Sequence, residues 1–71
     1  SESKDIVRKR YNEDIVMNIT GLEQDKVGEF MKFCDFKDQY ILSTDDYNLF
    51  SEILLKFKAY KKSKQDSLKS E

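Results

Sequence analysis

The sequence has no proline, no histidine and no tryptophan, and its 71 residues include one cysteine and two glycines. Each shortage excludes something. Without proline and with few glycines, the chain has too little turn chemistry for a sheet of short strands, and helices are favoured. Without histidine, a lone cysteine has no base to activate it as a nucleophile. The same two shortages leave a zinc site almost no ligands. One cysteine forms no internal disulfide, so an intracellular compartment, cytoplasmic or nuclear, is expected. No apolar run approaches the roughly 20 residues needed to cross a bilayer, and no signal-peptide pattern is present, so membrane insertion is not expected. The isolated Gly21 and Gly28 make no phosphate-binding loop.

What is present is aromatic and charged. Hydrophobic residues make up 38% of the chain and include five Phe and four Tyr, enough for one compact domain. Another 38% is charged, with a net charge of −1. That charge is unevenly spread. Residues 13–52 carry ten acids against three lysines, a balance of −7, whereas residues 56–64 carry five lysines and no acid. Residues 1–10 are also basic. The body is acidic and both ends are basic.

Apolar periodicity predicts an all-α fold, a small three- to four-helix bundle over residues 5–62. Val7, Tyr11, Ile15 and Ile19 recur every four residues and predict a helix over 5–19, ended by Gly21 in the left-handed conformation. Val27, Phe30, Met31 and Cys34 form a stripe that predicts a second helix over 23–34. Asp35 is a candidate cap for a short third helix over 37–43, carrying Phe36, Tyr40, Ile41 and Leu42. Ser43-Thr44-Asp45-Asp46 reads as a break and a new N-cap. Tyr47, Phe50, Ile53, Leu54 and Phe57 then predict a helix over 46–62, widened by Leu49, Leu55 and Tyr60. Residues 1–4 and 63–71 are expected to be flexible tails.

Few residues offer chemistry. Asp45 and Asp46 are the most concentrated acids, readable as a metal or acid–base pair or as a helix cap. Cys34 falls on the core stripe. Gly28 either marks a close helix approach or is tolerated within its helix. The lysines of residues 56–64, with Phe57 and Tyr60 interleaved, would suit nucleic acid if the acidic body did not oppose it. The last helix's aromatic stripe is either core or a groove-filling surface.

Residues 14–42 resemble a ubiquitin-associated (UBA) domain, most closely its divergent UBA-like branch. The likeness lies in VMNITGLEQDKVGEFMKFCDF. Val16 and Met17 end a helix before the Thr20-Gly21-Leu22 loop. Glu23 and Asp25 open the next helix, followed by Lys26-Val27, Phe30-Met31, Phe36 and the Ile41-Leu42 pair. This resemblance implies a three-helix bundle without catalytic activity, to which the helix from Tyr47 would be an addition. A second register places Phe50 and Leu54-Leu55 in the apolar positions of the third helix instead. For members that bind ubiquitin, it implies a surface made of Met17, Thr20, Gly21 and Leu22 with Leu42. Asp45-Asp46 departs from the apolar pair such members carry.

The expectation is therefore a non-catalytic protein-binding module of the ubiquitin or adaptor class, without metal or cofactor. Its candidate contacts are Met17, Thr20, Gly21, Leu22 and Leu42. The alternative is a structural or heteromeric interaction domain with another partner, contacted through Leu49, Leu55 and Tyr60. Nucleic-acid binding by the basic ends ranks below both.

Overall fold

In the computed structural model, which describes residues 1–69, the chain forms five helices: α1 (Glu2–Arg10), α2 (Glu13–Thr20), α3 (Gln24–Cys34), α4 (Asp38–Ser43) and α5 (Asp46–Lys69). No strand occurs among the described residues, and the fold is an all-α bundle.

The helix expected over 5–19 is two helices. Tyr11 and Asn12 are extended, at φ −148° and −155°. The Asn12 side chain serves both ends of the break: its Nδ2 donates to the Arg8 carbonyl at 2.6 Å, and its Oδ1 accepts from the Ile15 amide at 2.9 Å. An asparagine that satisfies two helix ends favours the break over continuation. Neither expected tail is a tail over its described part. Glu2 and Lys4 belong to α1, and the Lys4 ammonium reaches Asp38 at 2.9 Å. At the other end α5 passes residue 62 and continues to Lys69, supported by the Lys62–Asp66 pair at 3.2 Å and by Lys64 on Glu29 of α3. Ser70 and Glu71, also expected in that tail, lie outside the described residues.

Gly21 ends α2 in the left-handed region at φ 80°. Asp35 does not cap α4; it is itself the left-handed C-cap of α3, at φ 53°. Asp45 does cap α5, accepting the Asn48 amide at 2.7 Å.

The core gathers Val16 from α2, Val27, Phe30 and Cys34 from α3, Ile41 from α4, and Leu49, Ile53 and Tyr60 from α5. Phe30 is fully buried and meets the rings of Phe57 and Tyr60 edge-on, at centroid distances of 5.6 and 5.3 Å. Such pairs contribute about 0.5–1.5 kcal/mol each beyond their burial. Helix α5 packs on both α2 and α3, so these three enclose the core. The helix expected as an addition is its third wall. The short helix expected in that place, α4, packs against α1.

That second layer is polar at its joints. α1 buries no residue completely. Arg10 at its end donates to the Ile41 carbonyl of α4 and to Asp46 of α5, the latter at 2.7 Å. Tyr11 meets Phe36 edge-on at 5.4 Å. Gly28 marks no close approach: a Cβ placed there would have only Glu13 Oε2 nearby, at 4.0 Å.

The Tyr11 hydroxyl is buried without a hydrogen-bond partner. Burial, with the neighbouring Cys34 thiol, pushes its pKa far above the ordinary 10.0, and burial also raises Cys34 above 9.0. Groups that hold their protons more tightly when folded contribute stability in full below their unfolded pKa and lose it as pH rises past that value. The unfolding free energy, measured in urea, should therefore fall progressively above about pH 9–10. Tyr11→Phe should flatten that fall. At pH 7 it should match the parent or exceed it by about 1 kcal/mol, because it removes an unpaired buried hydroxyl.

Candidate functional site

The apolar stripe of α5 is wider than the core can cover. Leu49, Ile53 and Tyr60 face inward, but Phe50 is 46%, Leu54 40% and Leu68 78% exposed. At about 100° per residue, Phe50, Leu54, Phe57, Lys61 and Leu68 fall within one sector roughly 60° wide. α2 adds the half-buried Ile15 and Ile19, and the α2–α3 loop adds Leu22.

Two grooves lie along this seam. One, of about 370 Å³, is walled by Ile15 and Ile19 on one side and Phe50 and Ile53 on the other, with Lys9 and Arg10 at its end. The second, of about 520 Å³, is walled by Leu22, Phe57, Tyr60 and Leu68, with Lys61 and Lys64 on its rim. Ile53 and Phe57 are one helical turn apart, so the grooves follow one another along α5.

Local hydrogen bonding places Leu22. The Thr20 hydroxyl donates to the Val16 carbonyl at 2.8 Å and accepts from the Leu22 amide at 3.1 Å. Gly21 supplies the left-handed turn between them. The loop therefore bends back toward α5 rather than away from the bundle.

The rim is cationic and partly neutralised. Arg10 pairs with Asp46 at 2.7 Å, and Lys64 pairs with Glu29. The Lys64 hydrogen bond holds the Glu29 carboxyl below its ordinary value, and Glu29 raises Lys64 in turn. Lys61 lies 4.6 Å from the centre of the Phe57 ring. Lys9 and Lys61 have no carboxylate partner among the described residues.

Of the residues singled out in the sequence, Leu22 lines the second groove, held there by Thr20 and Gly21, which line neither groove themselves. Met17 is half-buried against the core and lines neither groove. Leu49 and Tyr60 are only 4% and 6% exposed: they are core residues, and Tyr60 offers the seam no more than one side of its ring. Leu42 and Leu55 are exposed but line neither groove; α4 carries Leu42 to the α1 side, and Leu55 points away from the Phe50 sector of α5. Sequence reasoning missed Ile15, Ile19, Phe50, Leu54 and Leu68 as surface residues. The signal was available in the spacing of 50, 54, 57, 61 and 68, a second register beside 49, 53 and 60.

The acidic and thiol candidates have structural positions. Asp45 caps α5 and Asp46 pairs with Arg10. No group of three or more His, Cys, Asp or Glu residues able to hold a metal ion occurs among the described residues. Cys34 is buried, and burial keeps its thiol protonated, the unreactive form. The lysine-rich segment does not form one free cationic face, because Lys62 and Lys64 are already paired. Among the described residues no helix is long and apolar enough to cross a membrane. Neither a protein family, a curated protein nor a solved structure matches the chain.

Adjacent residues of α5 should therefore respond differently to the same change. Ile53→Ser should destabilise the domain by about 3 kcal/mol or more, and Leu54→Ser by less than about 1 kcal/mol. Urea unfolding followed by circular dichroism measures both. Equal losses would put Leu54 in the core and remove the seam as a surface.

Proposed function

We propose that the chain is a non-catalytic protein-binding module of the adaptor type, with the α2–α5 seam receiving apolar side chains of its partner. One observation carries this reading: Phe50, Leu54 and Leu68 remain exposed along one face of α5, and Phe50 and Leu68 line grooves shared with Ile15, Ile19 and Leu22. A domain of this size has little apolar surface to spare, and a contiguous uncovered strip is the usual mark of a docking surface. The seam contains no nucleophile–base pair, so its action is contact rather than chemistry.

Ubiquitin as the partner is a second, narrower reading, supported by the likeness to UBA domains. One observation favours it: Gly21 is exposed and Leu22 sits at the groove mouth, in the loop that the likeness singles out. The cationic rim counts against it, because ubiquitin's apolar patch is itself bordered by basic residues.

Selection from a library of displayed random peptides tests the first reading. Enriched ligands should carry apolar residues at helical spacing, and should shift the amide NMR signals of Ile15, Ile19, Leu22, Phe50 and Leu54. Ligands that shift only residues outside the seam would sink it. Ubiquitin titrated into the same labelled sample decides the second. Shifts at Gly21 and Leu22 select it, and silence there at millimolar ubiquitin removes it.

A further inference from the structure

Resting on the seam as a protein-binding surface, we infer that its occupant is an amphipathic helix whose apolar stripe is flanked by carboxylates. Shape is the first argument. The seam is a trough with α5 as one wall and α2 with the loop after it as the other, and its α5 wall from Phe50 to Leu68 runs about 27 Å at 1.5 Å per residue, the length of a helix of about 18 residues. Apart from Leu22, its walls are helical, with their backbone groups paired inside their own helices, so the trough offers no edge to an added strand. Phe50, Phe57 and Leu68 on one side face Ile15, Ile19 and Leu22 on the other, in position for side chains at i, i+3, i+4 and i+7 of an inserted helix, and the exposed Leu54 borders them on α5.

Charge is the second argument. The residues lining the two grooves include the cations Lys9, Arg10, Lys61 and Lys64 and a single carboxylate, Asp46. The rest of the body is acidic, and the whole chain carries −1. After the internal pairs Arg10–Asp46 and Lys64–Glu29 form, Lys9 remains at one end of the trough and Lys61 near the other. An apolar helix with acids flanking its stripe satisfies both and is repelled by neither. A phosphate backbone lying in the trough would meet only these two open cations among its lining residues. A flat lipid surface would not reach the bottom of a trough.

Two labelled peptides of about 18 residues test this, each with leucines at helical spacing, one flanked by glutamates and one by lysines. Fluorescence anisotropy against the full chain should show the glutamate peptide bound and weakened by salt. Lys9→Glu and Lys61→Glu, both at exposed positions, should each weaken it about fivefold. Phe50→Ser should abolish it while circular dichroism stays unchanged. Equal or tighter binding of the lysine peptide would overturn the charge assignment and leave the seam standing. Binding of neither peptide would overturn the helical occupant. Binding indifferent to Phe50→Ser would overturn the seam itself. Preferential uptake by anionic phospholipid vesicles or duplex DNA, or a dimer broken by Phe50→Ser, would replace the acidic helix with that other occupant.

Discussion

The ring of Phe30 meets Phe57 and Tyr60 at the centre of the bundle, and the remaining architecture depends on that contact. Residues three apart lie on nearly the same side of a helix, so satisfying both edge-on contacts fixes the rotation of α5. That rotation carries Leu49 and Ile53 into the core. It leaves Phe50, Leu54 and Leu68 about a quarter-turn or more away and exposed. The exposed strip is thus the geometric remainder of the core.

The second layer is held differently. α1 and α4 meet through few buried apolar groups, and their joints are the Arg10 fork and the Lys4–Asp38 pair. Both ion pairs are at least partly exposed, and exposed pairs contribute little on their own. Arg10 differs because it also satisfies a carbonyl in the last turn of α4, which would otherwise need water. One side chain therefore joins α1 to α4 and α5, about thirty residues away in sequence.

Much of this was legible in the residues. Gly21 as a left-handed end, Asp45 as a cap and Cys34 as core each follow from a residue type in a specific local setting. The break at Asn12 was not legible from periodicity, because Val7, Tyr11, Ile15 and Ile19 keep their spacing across it. The cue lay in Asn12 followed by two acids, the composition of a helix start. The seam was half legible. The loop was found through Leu22, but Leu49 and Tyr60 stood in for Phe50, Leu54 and Leu68. A helix with a broad apolar face shows that it is amphipathic without showing which flank its neighbours cover. Only the ring contacts of Phe30 decide that, and they join residues that are remote in sequence.

Gly28 lies in the interior of α3 with room for a Cβ, whose nearest neighbour would be the end of the Glu13 side chain at 4.0 Å. Glycine at such a position costs about 1 kcal/mol relative to alanine, and no packing requirement offsets it. In a domain this small, that is a sizeable fraction of the whole margin between folded and unfolded chains. The sequence therefore sits above a tolerance threshold rather than at an optimum, and its natural variation has room to drift toward greater robustness without disturbing the fold.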